Sequence, residues 1–236
     1  MSNITYDYME EYIKGLIPDR TGVLKEIEDF ARENNVPIVQ KETGKFLEFM
    51  VSMKKPLRIL ELGTAIGFSS ILMYEASGNN PDIVTIERDE KMIELAKINL
   101  KKFNLQDKIK IEEGDCLEVL EKLQEPFDLI FMDAGKGHYN HFLPHCLRLL
   151  KEDGIIIADN VLFRGMVASK ELVKRRKITI VKSHPNIITK RVYWKSNNKN
   201  KIPAEESPIK IGENPIKREK TFLFLLKISS KINAVG

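Results

Sequence analysis

The 236-residue sequence predicts an α/β protein with a doubly wound, mostly parallel β-sheet of the Rossmann-like kind, preceded by N-terminal helices. Short apolar runs alternate with amphipathic stretches through the first 160 residues. The apolar runs lack polar alternation, which is typical of strands covered by helices on both faces. The length suits one core, since domains commonly hold about 100 to 200 residues. A composition of 42% hydrophobic and 31% charged residues excludes collagen-like, coiled-coil and disordered chains.

The N-terminal part of the sequence is predicted to be helical. Apolar residues recur with helical spacing at 6–16, 24–34 and 43–53, and Pro18 and Pro37 end the first two helices. The alternating part then predicts strands at 57–62, 83–87, 109–112, 127–132 and 154–158, and helices at 67–76, 90–102 and 141–150.

Charge is distributed unevenly along the chain. Residues 182–236 contain twelve Lys or Arg and four Glu, a net charge of +8, which leaves −4 for residues 1–181. We therefore predict a domain at 1–181 and a basic, atypical tail at 182–236. Such a tail is compatible with a nucleic-acid-binding arm and equally with a solvated polar segment.

Several classes of protein are excluded by what the sequence lacks. No apolar run reaches the roughly 18 residues of a membrane span, and the acidic N-terminus does not resemble a signal peptide, so we expect no membrane association and a cytoplasmic location. The only cysteines, Cys116 and Cys146, are too few for a disulfide framework or a cysteine zinc site.

A turn with two glycines follows the first predicted strand. Residues 61–67 read Glu-Leu-Gly-Thr-Ala-Ile-Gly, and glycines there let the backbone pass close to a ligand. A dinucleotide fingerprint would need G-x-G-x-x-G, and its second glycine is missing, which disfavours a nicotinamide cofactor. Alone, the two glycines are a weak signal.

Acidic residues follow the next two strands. Glu87 lies about 25 residues past the glycines, where a carboxylate can accept hydrogen bonds from both ribose hydroxyls. Asp115 follows the third strand, where it can meet an adenine edge. An exposed acid at a strand end is the alternative for either residue alone.

Three oxygen donors follow the fourth and fifth strands. Asp133 ends one strand, and Asp159 and Asn160 end the other. If these strands are neighbours, the three side chains converge, and such hard oxygen ligands suit Mg²⁺. His138, His141 and His145 share a helix face and are a weaker alternative as a zinc site.

These residues resemble the class I S-adenosylmethionine-dependent methyltransferases, and among them the cation-dependent O-methyltransferases of the catechol and caffeoyl-coenzyme A type. The matching segments are 36–38, 42–45, 59–70, 131–134 with Lys136 and Tyr139, and 159–162. Within the family, the sequence is similar to the bacterial branch that methylates 5-hydroxyuridine at the tRNA wobble position.

The resemblance implies S-adenosylmethionine and Mg²⁺ as cofactors, and a homodimer. Lys136, next to the metal, is our candidate catalytic base, with an ordinary surface lysine as the alternative. Asp133, Asp159 and Asn160 would hold Mg²⁺. The residues expected to contact S-adenosylmethionine are Gln40, Glu61, Gly63, Gly67, Ser70, Glu87, Asp115 and Asp133.

The substrate that we predict first is tRNA, methylated at wobble 5-hydroxyuridine to give 5-methoxyuridine, and a small catechol-like or caffeoyl-CoA-like substrate is the alternative. In 5-hydroxyuridine the 5-hydroxyl lies beside a carbonyl oxygen, so it offers a metal the same two-oxygen edge as a catechol. Arg164 and the basic run at 174–177 could contact an RNA backbone, although a solvated helix face explains them equally well.

The tail departs from the family pattern. It contains four prolines, and only 221–228 is a credible strand, where relatives have a helix and two final strands. Its richness in Lys, Ile and Asn leads us to hypothesise a frameshift near Lys182. We therefore expect the sheet edge beside the fifth strand to be poorly covered and the protein to be less stable than its relatives.

Overall fold

The computed structural model describes residues 6–161 and 222–225. Three helices come first: α1 (Asp7–Gly15), α2 (Gly22–Glu33) and α3 (Lys41–Lys54). They confirm the predicted N-terminal helices to within one or two residues at most ends. None of the described helices is long and apolar enough to cross a membrane.

The described strands form one six-stranded parallel sheet, as predicted. Its order is β3-β2-β1-β4-β5-β6, so the strand order reverses beside β1, where β4 lies next to it. The strands are β1 (Arg58–Leu62), β2 (Asp82–Glu87), β3 (Ile109–Glu113), β4 (Phe127–Met132), β5 (Leu150–Ala158) and β6 (Phe222–Leu225).

Four further helices connect the strands: α4 (Phe68–Ser77), α5 (Glu90–Lys102), α6 (Cys116–Lys122) and α7 (Tyr139–Leu149). Helix α6 is absent from the sequence prediction, because seven residues are too few for a clear helical period. Asp115 caps the N-terminus of this helix, because its side chain accepts a hydrogen bond from the Leu117 amide at 2.9 Å. Asp89 caps α5 in the same way.

The two faces of the sheet carry separate apolar cores. Consecutive residues of a strand face opposite sides, so Ile59 packs into one core and Leu60 into the other. Helices α2, α3 and α4 contribute Ile27, Leu47 and Ile71 to the first core. Helices α6 and α7 cover the second. Burial on both faces explains why the strands are continuous apolar runs.

The prediction for the sheet edge beside β5 is wrong. Phe222–Leu225 pairs with Ile155–Ala158 in parallel register, within the segment 221–228 that was singled out as a credible strand. This pairing covers the last four residues of β5, so the predicted loss of stability from an uncovered edge is not supported. The domain boundary at 181/182 and the frameshift hypothesis lie outside the described residues.

Candidate active site

A cavity of about 1130 Å³ opens at the carboxyl ends of the strands. It is closed on the other side by α1, α2 and the segment that enters α3. Ligands of open parallel sheets bind at this end, beside the reversal of strand order. The predicted site residues that line the cavity are Gln40, Gly63, Glu87, Asp115, Asp133, Asp159 and Asn160.

The turn after β1 brings the backbone close to the loop after β4. Gly63 has a φ of +100°, and a Cβ added to it would lie 3.1 Å from the Cβ of Ala134. Its amide and that of Thr64 donate to the Ile86 carbonyl at 3.1 and 3.2 Å. A side chain at Gly63 would therefore be strained and would also fill the floor of the cavity. Gly67 ends the turn before α4 and does not line the cavity.

Glu61 and Ser70 lie beneath the turn, away from the cavity. Both are completely buried, and the Ser70 hydroxyl donates to the Glu61 carboxyl group. The Thr85 hydroxyl donates to the same carboxyl oxygen at 2.7 Å. Burial raises the pKa of Glu61, against the lowering effect of Ser69, Ser70 and Thr85. Glu61 and Ser70 therefore support the glycine turn from below, and their predicted contact with the cofactor stays a prediction.

Glu87 and Asp115 line the part of the cavity formed by β2 and β3. Glu87 accepts hydrogen bonds from the amide of Ala65 at 2.9 Å, and from the amides of Arg88 at 2.9 Å and Asp89 at 3.1 Å. Asp115 caps α6 and lies 3.5 Å from the Arg88 guanidinium. Both carboxylates are held in place by the backbone, which fixes where they can meet a ligand.

Asp133, Asp159 and Asn160 follow the ends of β4 and β5 and line the same cavity. The Asp159 amide donates to the Met132 carbonyl at 3.0 Å, which ties the two strand ends together. Asn160 has a φ of +57°, and its side-chain nitrogen donates to Asp159 at 2.6 Å. The amide oxygen of Asn160 is then the atom available as a ligand, beside two carboxylates, and this donor set fits a hard cation such as Mg²⁺.

The histidine alternative gains no support from the geometry. The rings of His138 and His141 are 6.0 Å apart between centroids, and only His138 of the three lines the cavity. Among residues 6–161 and 222–225, no three His, Cys, Asp or Glu side chains are grouped to hold a metal ion. The predicted oxygen set contains two such side chains, Asp133 and Asp159, and its third member is an asparagine.

The predicted catalytic base, Lys136, begins a 3₁₀ turn, Lys136–His138, and its side chain lies outside the described part of the structure.

The cavity wall also contains residues that the sequence did not point to. Burial raises the pKa of the Cys116 thiol there to about 12, so a thiolate nucleophile is not available. Sequence reasoning missed four cavity residues that come from helices or from the start of a helix, without a strand-end signal: Lys14, Arg32, Lys41 and Phe142. It also missed Arg88, which directly follows β2.

Residues 18–194 match the profile of an O-methyltransferase family, which is three quarters of the chain. The chain belongs to this O-methyltransferase family. It is therefore an S-adenosylmethionine-dependent O-methyltransferase, as the resemblance implied. The match also extends beyond the predicted domain boundary at 181/182.

Relatives and solved structures agree with this assignment. This O-methyltransferase is 32% identical over 173 residues to a catechol O-methyltransferase of Niastella koreensis, covering 71% of this chain and 78% of the relative. It is 26% identical over 183 residues to a caffeoyl-CoA O-methyltransferase of Eucalyptus gunnii, covering 75% and 73%. It superposes with a TM-score of 0.68 on a Bacillus cereus O-methyltransferase in complex with S-adenosylhomocysteine, at 28% identity, covering 79% and 87%.

Proposed function

We propose that this O-methyltransferase methylates one of two adjacent oxygens on a small, catechol-type substrate, with Mg²⁺ bound by Asp133, Asp159 and Asn160. The observation that carries the proposal is that these three oxygen donors line the same cavity as Gly63 and Glu87. The names of the relatives, a catechol and a caffeoyl-CoA O-methyltransferase, support the substrate class.

The reaction requires a well-placed nucleophile rather than a covalent intermediate. The hydroxyl oxygen bonds to the methyl carbon, the S–C bond breaks, and its electron pair stays on sulfur. A bound Mg²⁺ would fix both substrate oxygens and lower the hydroxyl pKa. Lys136 follows Asp133 by three residues, and we assign it to accept the hydroxyl proton. In-line geometry is then the main contribution of the protein.

The cofactor would lie along the part of the cavity formed by β1, β2 and β3. Glu87 suits the ribose hydroxyls, and Asp115 suits the adenine edge, because each carboxylate is held at a strand end that opens into the cavity. Gly63 allows the close approach of the methionine end, and Gln40 approaches from the segment before α3. This arrangement directs the sulfonium toward the end of the cavity formed by β4 and β5.

tRNA carrying 5-hydroxyuridine is the second candidate substrate. It would offer the metal the same two-oxygen edge, and the net charge of +8 on residues 182–236 favours a polyanion. The remaining 181 residues carry −4, so charge would attract a polyanion to the tail rather than to the rest of the chain, and the named relatives support a small substrate. For this reason the small substrate is preferred.

A substrate panel tests the proposal. Methyl transfer from labelled S-adenosylmethionine is measured with catechol, with resorcinol, whose hydroxyls are not adjacent, and with anticodon stem-loops that contain 5-hydroxyuridine or uridine. We expect transfer to catechol and none to resorcinol. Equal transfer to resorcinol would contradict a chelating substrate, and transfer to the hydroxyuridine RNA alone would make tRNA the substrate.

We also propose a cytoplasmic homodimer, following the resemblance. Helix α1 has no buried residue, and Tyr8 and Tyr12 are each 64% exposed, so the helix offers apolar surface for a second copy. Light scattering should give twice the 27.2 kDa chain mass. A monomer at micromolar concentration would contradict the dimer.

A further inference from the structure

Tyr139 places a hydroxyl group inside the core between the ends of β4 and β5. The side chain is completely buried at the N-terminus of α7. Its hydroxyl lies 2.9 Å from the carbonyl oxygen of Met132 and 3.1 Å from that of Asp159. The 2.9 Å contact is within the usual range of a hydrogen bond from a hydroxyl to a carbonyl oxygen, and the 3.1 Å contact is slightly longer. The phenol has one proton, which is donated to one carbonyl at a time or shared between the two.

These two carbonyls belong to the peptide groups that carry the predicted metal ligands. The Met132 carbonyl is part of the peptide that leads into Asp133, and the Asp159 carbonyl is part of the peptide that joins Asp159 to Asn160. Asn160 itself has a left-handed φ of +57°. A single hydroxyl therefore contacts the backbone at the origin of all three side chains.

Packing alone does not require this hydroxyl. Phe142 and Leu143 on the same helix fill the same core without a polar group, and a phenylalanine ring would occupy the volume of the tyrosine ring. A buried hydroxyl stabilises a structure only when it finds a partner. Here two carbonyl oxygens lie within reach, one on the last residue of β4 and one just past the end of β5.

We propose that Tyr139 is a positioning residue that sets the spacing between Asp133 and the Asp159–Asn160 pair. It acts through the backbone and does not touch the substrate or the metal. The inference rests on the metal-dependent reaction proposed above. Residues that orient metal ligands commonly change metal affinity by about 10- to 100-fold when they are replaced.

The test compares Tyr139→Phe with Tyr74→Phe. Tyr74 is a matched control, because its hydroxyl donates to the Asn80 side chain at 3.0 Å and neither residue lines the cavity. Binding of Mn²⁺ in the presence of S-adenosylhomocysteine is measured by electron paramagnetic resonance, which needs no turnover. Affinity for S-adenosylhomocysteine and the midpoint of thermal unfolding are measured for each variant.

We expect Tyr139→Phe to weaken Mn²⁺ binding by about 10-fold. Its affinity for S-adenosylhomocysteine should stay within about twofold of wild type, because Asp133 is the one predicted cofactor contact that follows a carbonyl reached by Tyr139, and the others come from different parts of the chain. Tyr74→Phe should bind Mn²⁺ like wild type. Replacing Tyr139 with 4-aminophenylalanine, which keeps a donor on the ring, should restore most of the affinity, and this variant also guards against a phenylalanine variant that fails to fold.

Three outcomes would overturn the proposal. Unchanged Mn²⁺ affinity in Tyr139→Phe would mean that the hydroxyl does not position the ligands. A parallel fall in Mn²⁺ affinity, cofactor affinity and thermal midpoint, without rescue by the amino analogue, would mean a general structural role. Failure of the wild-type protein to bind Mn²⁺ at all would remove the metal site itself, and with it both this inference and the metal-dependent function.

Discussion

The β1–β2 end and the β4–β5 end of the cavity use acidic residues in opposite ways. At the β1 end, Glu61 lies inside its strand and is buried under the glycine turn with Ser70 and Thr85. At the β4–β5 end, Asp133 and Asp159 each come one residue after the strand and line the cavity. The acid before the last residue of its strand therefore supports the turn above it, whereas the acids at the end of β2 and just past β4 and β5 line the cavity.

The largest effect is expected when one acid is removed from the β4–β5 end of the cavity. Asp159→Ala should lower kcat/KM by about 10³-fold, equivalent to about 4 kcal/mol, because a metal ligand is lost. Affinity for S-adenosylhomocysteine, measured by calorimetry, should change little. Asp153→Ala removes an exposed acid that pairs with Lys54 outside the cavity and serves as the control. Equal losses in the two variants would contradict the assignment.

At the β1–β2 end, the sensitive position is a glycine. Gly63→Ala should lower the free energy of unfolding by about 3 kcal/mol, because it combines a left-handed φ with a contact of 3.1 Å to Ala134. Gly78→Ala has a similar φ strain at +64° but no neighbouring atom within 4 Å, so it should cost only about 1 kcal/mol. Urea unfolding measures both values. Equal costs would show that the close approach to Ala134 does not matter.

The buried acid predicts a pH dependence of stability. Burial raises the pKa of Glu61 above its usual 4.5, so the folded protein keeps a proton that the unfolded chain releases. Stability should then fall as the pH rises above about 4.5, by up to about 1.4 kcal/mol per pH unit, until the folded-state pKa is reached. Glu61→Gln should flatten this fall in urea titrations. The same slope in wild type and variant would place the titrating group elsewhere.

A smaller effect is expected where α5 holds the glycine turn. The Asn99 side chain is buried and donates to the Ile66 carbonyl at 2.9 Å. Asn99→Ala should lower the free energy of unfolding by about 1 kcal/mol and weaken cofactor binding, since the turn loses this support. Thermal unfolding with and without S-adenosylhomocysteine measures both. Unchanged cofactor affinity would show that the turn holds its shape without Asn99.

Strand ends were the part of the site that the sequence could predict. Glu87, Asp115, Asp133, Asp159 and Asn160 were located because each follows an apolar run, and all five line the cavity. A parallel sheet aligns the carboxyl ends of its strands, so sequence position converts directly into spatial position.

Other features depend on tertiary contacts that a sequence pattern does not carry. Strand β5 begins at Leu150 rather than at 154, because an irregular register shifts the pairing from Phe127 with Leu150 to Leu129 with Ile155. Tyr139 is part of a sequence motif, but its two carbonyl partners come from the last residue of β4 and the first residue after β5. The pairing of Phe222–Leu225 with β5 likewise joins segments about 65 residues apart.

Methyl transfer to catechol before and after Mg²⁺ is added tests the central claim most directly. The protein is first stripped of divalent ions, and S-adenosylhomocysteine binding confirms that the cofactor part of the cavity remains intact. We expect no transfer in the stripped protein and full transfer once Mg²⁺ is restored, because the oxygens of Asp133, Asp159 and Asn160 then hold the metal and its substrate. An undiminished rate in excess chelator would contradict a metal site at the ends of β4 and β5.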